Sequence, residues 1–347
     1  MSQLKALSTT GIGSLPHASV DDAINLAFRL DIPYAPQLPN KNHKEFMLAH
    51  ALDGIPGLVC DQQGMVTIDL AEWRKGYLPY SERLNAALEG DDLMSFLPSE
   101  ESNSALRPFL KRIQEDNITR AKVQIAGPMT SQWSLRTTEN LFPPAPVLSQ
   151  VTRTIMAKSL ALTKAVQEAG ASPVLFFDEP GLYAFSSRQP NHIVLLQELK
   201  IIIMALRKRE VEVGLHCCSD ADWHALMSLK LDILAIDAQL SLPSLLKSSD
   251  ALLSFSSGGG QLALGVIPTR QAEDTSVSDI FVHFEERIQT LEKYFRTRAS
   301  TFEKILGRSI LTPACGLALL ETKRAKDVHA QLSVFQSSYR SFHELRS

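Results

Sequence analysis

A short apolar strand runs directly into a histidine and two cysteines in the segment Val211-Glu212-Val213-Gly214-Leu215-His216-Cys217-Cys218. Side chains alternate between the two faces of a strand, so His216 and Cys218 share one face and Cys217 points to the other. The next predicted strand, 233–236, is followed by Asp237 and lies about one strand–helix unit further along. This pattern predicts strands that alternate with helices and lie parallel in one sheet.

The same alternation extends over most of the chain. Apolar residues at three- and four-residue spacing predict helices at 20–30, 147–169, 192–207, 221–229, 277–294 and 323–343. Between most of them lie eight candidate strands, at 8–12, 34–38, 121–126, 174–177, 211–215, 233–236, 262–266 and 309–311. Eight such units predict an α/β fold, a (β/α)8 TIM barrel, for which roughly 250 residues are typical.

The chain has 347 residues, and the excess lies mainly between predicted strands 2 and 3. We expect residues 1–347 to form a single barrel domain with a rim insertion at about 40–119, because no Pro- or Ser-rich linker divides the chain. Within the insertion, Asp61-Gln62-Gln63-Gly64 predicts a turn between two short strands.

Composition and charge exclude several classes of protein. A net charge of −3 lacks the basic footprint of a nucleic-acid binder, and no polybasic patch points to a membrane surface. No apolar run reaches the roughly 18 residues of a membrane helix, and residues 1–10 lack the apolar core of a signal peptide. We therefore expect a cytoplasmic protein, in which four cysteines form no disulfide framework.

The groups suited to chemistry follow predicted strands. Cys315 comes after the last of them, as Asp237 and His216 with Cys218 do after earlier ones. The carboxyl ends of barrel strands meet at one rim, where imidazole, thiolate and carboxylate would make a coherent zinc set. Thiolate ligands disfavour magnesium and calcium. Spacing alone leaves another interpretation open, namely that the cysteines are small buried apolar residues and His216 is a hydrogen-bonded core histidine.

Five segments near predicted strand ends carry a family resemblance. They are Thr9-Thr10-Gly11-Ile12-Gly13-Ser14-Leu15-Pro16, Gly127-Pro128-Met129-Thr130 with Trp133-Ser134, Asp178-Glu179-Pro180, His216-Cys217-Cys218 and Pro313-Ala314-Cys315-Gly316-Leu317. In this order they resemble motifs of the C-terminal catalytic barrel of cobalamin-independent methionine synthase. That family lies within the uroporphyrinogen-decarboxylase-like barrel superfamily, and the resemblance spans residues 9–317.

The resemblance implies roles for individual residues. His216, Cys218 and Cys315 match three zinc ligands, and Asp237 stands where the family has a glutamate as the fourth. Ser14 resembles the residue that holds an amino-acid carboxylate. Asp178 resembles the residue that binds the substrate ammonium, and it is the first candidate catalytic residue.

Two positions depart from the family pattern. His50 takes the place of a second ammonium-binding glutamate, and Arg270 falls where the family has a catalytic histidine. His50 is therefore a substrate-binding candidate. His17 is the second catalytic candidate, because the proton-handling group would come from His17 or His50; ordinary polar positions are the alternative for both.

The activity that the resemblance implies is zinc-dependent transfer of a methyl group to homocysteine or a similar small thiol. The donor would be a methyl-corrinoid protein, as in some single-barrel members of the superfamily, or methyl-folate. Neither nucleic acid nor membrane is an expected partner. Two alternatives stay open: a metal-free decarboxylase of the uroporphyrinogen type, and a non-catalytic corrinoid- or thiol-binding subunit.

Overall fold

The computed structural model describes residues 7–90, 92–269, 276–292 and 305–344. Its strands are β1 Leu58–Cys60, β2 Val66–Ile68, β3 Arg120–Ala126, β4 Arg136–Thr137, β5 Ser172–Asp178, β6 Glu212–Cys217, β7 Ile233–Asp237, β8 Gln261–Ile267 and β9 Ile310–Pro313. Its α-helices are α1 Val20–Ala27, α2 Met47–Leu52, α3 Leu70–Glu89, α4 Leu106–Glu115, α5 Pro128–Ser134, α6 Ala145–Glu168, α7 Pro190–Arg207, α8 Trp223–Met227, α9 Leu242–Leu245, α10 Ser249–Ser257, α11 Val277–Glu292 and α12 Thr322–Glu344. Short 3-10 turns lie at His43–Glu45, Leu93–Phe96, Pro180–Ala184 and Leu246–Ser248. None of these described helices is both long and apolar enough to cross a bilayer.

The fold is a mixed α/β arrangement around a curled, half-barrel sheet. Six strands lie in the order β3–β5–β6–β7–β8–β9, and every neighbouring pair is parallel. Helices connect most of these strands, which is the arrangement that parallel neighbours require. The predicted strands from 121–126 onward are thereby confirmed.

The first two predicted strands are extended segments joined to the sheet by single bridges. Thr9 pairs with Leu311 at the β9 edge, and Tyr34 pairs with Lys122 at the β3 edge. A bridge between Ser14 and Gln37 joins the two segments to each other. In the second segment, prolines at positions 33, 36 and 39 limit the ladder, because proline has no backbone N–H to donate. A full (β/α)8 barrel stays a prediction.

The two faces of the sheet belong to separate apolar clusters. Alternate residues of the strands, among them Val174, Phe176, Ile233 and Ala235, form a small cluster on one face. Their neighbours along the strands join the large cluster that also contains residues of the surrounding helices. Both faces are therefore buried, as expected for a parallel sheet. Period two along the strands places Asp178, His216 and Asp237 on the face of the small cluster.

The segment at 40–119 contains the predicted hairpin. β1 and β2 pair antiparallel, and β2 continues into a parallel pair with β4. In the connecting turn, Asp61 Oδ1 accepts hydrogen bonds from the backbone N–H groups of Gln63 and Met65, both at 2.9 Å. A buried hydrogen bond from Trp73 Nε1 to Gln150 Oε1, at 2.8 Å, fastens α3 to α6. The hairpin is thus paired with β4, and the helix that follows it is fastened to α6.

Candidate metal centre and substrate cavity

Three of the four predicted metal ligands converge. His216 and Cys218 lie at the carboxyl end of β6, and Cys315 follows β9. One ligand atom of each residue lies within 4.8 Å of the others. His216 is buried, and both thiols are half-buried. The curl of the sheet brings together residues that three strand-to-strand steps separate along its edge.

The hydrogen bonding of the His216 ring indicates whether these residues suit a metal ion. Neither ring nitrogen of His216 has a hydrogen-bond partner, although the side chain is only 4% exposed. Leaving a buried polar atom unsatisfied costs about 1–3 kcal/mol, so such atoms normally have a partner. One imidazole nitrogen and two thiolates are a donor set that zinc prefers. The residues present therefore fit a zinc ion.

The two thiols also influence each other. Their mutual contact raises the pKa of Cys218 and lowers the pKa of Cys315. Cys315 is thus the thiol that gives up its proton more readily. Cys217 lies apart from this pair, because its side chain belongs to the large apolar cluster and contacts Ser219.

Asp237, the fourth predicted ligand, lies close by but outside the convergent group. It ends β7, and its Oδ1 accepts hydrogen bonds from the backbone N–H of Gln239, at 2.8 Å, and of Leu240, at 3.1 Å. The carboxylate therefore caps the turn that follows β7. Its role as a metal ligand stays a prediction.

A cavity of about 240 Å³ borders the three candidate ligands. Asp178 and Ser14 line it, as does the imidazole of His216. Asp178 Oδ1 is buried without a hydrogen-bond partner. Burial raises the pKa of Asp178, against the opposing influence of His216 and Lys122. An unpaired, buried carboxyl oxygen in a cavity wall is suited to receive a cationic group such as an ammonium.

Ser14 is held by the segment that carries Cys315. The backbone N–H of Leu317 donates to the carbonyl of Ser14 at 2.9 Å. A Cβ placed on Gly316 would lie only 2.4 Å from Ser14 Oγ, so glycine permits this close approach. The first and last predicted strand ends thus meet at the cavity, while the carboxylate-binding role of Ser14 stays a prediction.

Both candidate histidines are buried outside the cavity lining, and His50 lies directly behind it. His50 is fully buried, with Nδ1 3.0 Å from Gln37 Nε2, and Gln37 itself lines the cavity. Burial lowers the pKa of His50 to about 3. His17 is also buried, and neither of its ring nitrogens has a hydrogen-bond partner. Burial and the nearby Lys326 lower its pKa. Neither histidine lines this cavity, and their substrate-binding and catalytic roles stay predictions; Arg270 lies outside the described residues.

One wall of the cavity is formed by residues of the 40–119 segment, which the sequence did not predict as part of the site. Glu45, Phe46 and Met47 face the candidate ligands across the cavity. The buried carboxylate of Glu45 accepts hydrogen bonds from the backbone N–H of Leu38, at 2.8 Å, and of Ser104, at 3.1 Å. No local pattern in the sequence marks Glu45 as buried, because its position depends on how the segment folds back over the sheet.

Comparison with solved structures supports the fold. The chain is similar over 96% of its length to a methyltransferase from Methanosarcina mazei, of which the match covers 95%, with a TM-score of 0.53 and 14% sequence identity. At this identity the likeness concerns the fold. No protein-family model and no curated protein sequence matches the chain.

Proposed function

We propose that this protein is a zinc-dependent methyltransferase, which transfers a methyl group to the thiol of homocysteine and so forms methionine. The observation that carries the proposal is the convergence of His216, Cys218 and Cys315 beside a cavity that Asp178 also lines, with its Oδ1 buried and without a hydrogen-bond partner. The likeness in fold to a methyltransferase is consistent with it. Under this proposal the chain is a single-barrel, cytoplasmic relative of cobalamin-independent methionine synthase, with 40–119 as a rim insertion.

A bound zinc ion would supply a Lewis acid that lowers the pKa of the substrate thiol at neutral pH. His216, Cys218 and Cys315 would hold the ion, with Asp237 as the proposed fourth ligand. Asp178 would accept hydrogen bonds from the substrate ammonium, and Ser14 would donate to its carboxylate. These contacts orient the sulfur towards the methyl carbon, and such orientation accounts for a large part of enzymatic rate acceleration.

The methyl donor in this proposal is a methyl-corrinoid protein, with methyl-folate as the second possibility. A protein donor would dock at the 40–119 rim, whose Glu45, Phe46 and Met47 already border the cavity. Proton handling is assigned to His17, which is buried and has no hydrogen-bond partner for either ring nitrogen.

Zinc content and methyl transfer test the proposal together. Purified wild-type protein should contain about one zinc ion per chain and should methylate homocysteine from free methylcobalamin or 5-methyltetrahydrofolate. Cys218→Ser should lose both properties. Cys60→Ser is the matched control, because Cys60 is a half-buried cysteine outside the convergent group and should keep both.

The outcomes separate the remaining alternatives. Full zinc content and turnover in Cys218→Ser would refute the mechanism. Wild-type protein without zinc that decarboxylates a porphyrinogen would favour the decarboxylase alternative. Zinc binding without any methyl transfer would favour a non-catalytic subunit.

A further inference from the structure

A buried lysine lies inside the curled sheet, closer to the amino ends of the strands than the candidate site. Lys122 on β3 is only 1% exposed, and its pairing with Val174 places it on the face of the sheet that also carries Asp178. Its Nζ donates to the carbonyl of Ile12 at 2.5 Å and to Gln124 Oε1 at 3.1 Å. Burying a charged amine is costly, so its contacts indicate what this lysine contributes.

The surroundings of the Lys122 amine compensate its charge only in part. The ring centroids of Phe176 and Tyr34 lie 4.9 and 5.9 Å from Nζ, distances at which an aromatic face attracts a cation. Burial lowers the pKa of Lys122 to about 8, and the carboxylate of Asp178 opposes this shift. Burial also raises the pKa of Tyr34, which stays neutral. At neutral pH, Lys122 therefore donates to its two oxygen partners mainly as an ammonium group.

One of these hydrogen bonds holds the first extended segment of the chain. Backbone hydrogen bonds join this segment to its neighbours at Thr10 and at Gly13, and Lys122 binds the carbonyl of Ile12 between them. Gly13 also lies against Gln124, because a Cβ at Gly13 would come within 2.7 Å of that side chain. The path of residues 12 and 13 is thus set by two side chains of β3.

The same residue holds the second extended segment through its backbone. The N–H of Lys122 donates to the carbonyl of Pro33 at 2.8 Å, and its carbonyl accepts from the N–H of Ala35 at 2.9 Å. Gln124 Nε2 donates to the carbonyl of Ala35 at 2.7 Å. Lys122 therefore joins two segments that have only isolated bridges to the sheet and to each other.

We propose that Lys122 is a positioning residue, which holds the backbone at Ile12 so that the hydroxyl of Ser14 meets the substrate carboxylate. This inference rests on the proposed methyltransferase function. Ile12 and Ser14 both line the cavity of about 240 Å³. Without the ammonium group, the buried carbonyl of Ile12 would lose its partner, and the backbone would shift to find another. A small shift of Ser14 is enough to weaken substrate binding, because productive binding depends on exact placement.

A double-mutant cycle measures this dependence. Lys122→Met should raise the KM for homocysteine about tenfold and keep kcat within about threefold, with zinc content unchanged. Ser14→Ala should raise the KM as well. In the Ser14→Ala background, Lys122→Met should change the KM by less than about twofold, because the lysine acts through Ser14. Isothermal titration calorimetry of homocysteine with the zinc-loaded proteins gives the same comparison as Kd values, independently of turnover.

Lys158→Met is the matched control. Lys158 on α6 is also buried, and its Nζ donates to a backbone carbonyl, that of His50, at 2.8 Å. Because Lys158 holds a different segment, the effects of Lys158→Met and Ser14→Ala on the KM should multiply. If Lys122→Met does not fold, Lys122→Gln takes its place in the cycle. Its amide stays polar, but the side chain is one atom too short to reach the carbonyl of Ile12.

The outcomes distinguish positioning from simple stabilisation. Multiplying effects of the Lys122 variant and Ser14→Ala would mean that the lysine only stabilises the interior, and they would overturn the inference. An unchanged KM for homocysteine in the Lys122 variant, or loss of zinc from the folded variant, would overturn it as well. Absence of both homocysteine binding and methyl transfer in the wild type would instead refute the proposed function itself.

Discussion

Asp178 lies directly across from His216 in the parallel ladder between β5 and β6. This register places a buried carboxyl and a buried imidazole side by side at the carboxyl edge of the sheet, and both line the cavity of about 240 Å³ beside the candidate ligands. A group that could bind a substrate cation is thereby fixed next to a candidate metal ligand by the backbone itself.

Replacing Asp178 by asparagine tests its role in substrate binding. A hydrogen bond to a charged group contributes about 1.5–3 kcal/mol, so Asp178→Asn should raise the KM for homocysteine by about 10- to 100-fold. Zinc content should stay unchanged, because Asp178 is not in the convergent group. Steady-state kinetics and metal analysis measure the two effects. The exposed Asp21→Asn is the control, and an unaltered KM in Asp178→Asn would exclude ammonium binding by this carboxylate.

Because His50 is buried, the folded protein should be less stable against unfolding at acidic pH. Burial lowers its pKa in the folded protein to about 3, whereas an unfolded chain has a histidine pKa near 6.5. The ring is neutral when folded and takes up a proton on unfolding, so its contribution is lost as the pH falls from 6.5 towards 3. At pH 5 the free energy of unfolding should be lower by about 2 kcal/mol than at pH 7.5 from this residue alone.

Chemical denaturation at both pH values measures this difference. His50→Gln should reduce the measured difference by about 2 kcal/mol, because glutamine does not titrate and can still contact Gln37. The rest of the difference includes His329, whose pKa burial lowers to about 4. The exposed His224→Gln should leave the wild-type difference in place. The same acid sensitivity in His50→Gln as in the wild type would rule out His50 as its source.

Glu179 links two of the segments that carry the family resemblance. Its Oε1 accepts a hydrogen bond from the backbone N–H of Met129 at 3.0 Å, and its Oε2 accepts one from Thr130 at 2.7 Å. Gly127 is required beside it, because a Cβ there would lie 2.0 Å from Glu179 Oε1. The patterns Gly-Pro-x-Thr and Asp-Glu-Pro therefore describe one packed contact.

Glu179→Gln should lower the free energy of unfolding by about 1–3 kcal/mol. An amide has only one oxygen, so one of the two backbone N–H groups would face an NH2 donor and lose its partner. Denaturant titration measures the change, with the exposed Glu100→Gln as control. Equal stability of the two variants would show that these hydrogen bonds contribute little.

The sequence was sufficient for those site residues whose positions depend on local periodicity. His216, Cys218 and Cys315 follow strands that alternate with helices, and the ends of parallel strands necessarily share one edge. Asp178 follows from the same rule, because it ends β5 on the face that it shares with His216. The period of two also assigned Cys217 to the opposite face.

Parts of the fold and of the site that depend on tertiary packing could not be predicted from local periodicity. Three prolines between positions 33 and 39 reduce the second predicted strand to two isolated bridges, although its apolar content resembles that of a strand. Glu45 reaches the cavity because its segment folds back over the sheet, and no local pattern encodes that return. His50 likewise lies behind Gln37 rather than in the cavity wall.

Gly316 follows the candidate ligand Cys315 and lies against Ser14, so its replacement tests the contact between these two segments. A Cβ at this position would lie 2.4 Å from Ser14 Oγ, and the backbone of Gly316 has no positive φ that would itself exclude alanine. Gly316→Ala should therefore displace the Ser14 hydroxyl and lower kcat/KM for homocysteine about tenfold or more. The control is Gly258→Ala, where a Cβ would make ordinary contacts at 3.4 Å. The clash in Gly316→Ala should also lower the free energy of unfolding. Adding Ser14→Gly removes both the clash and the hydroxyl, so the double variant should regain the stability but not the kcat/KM. Recovery of both would mean that Ser14 only fills space, and recovery of stability alone would place its hydroxyl in substrate binding.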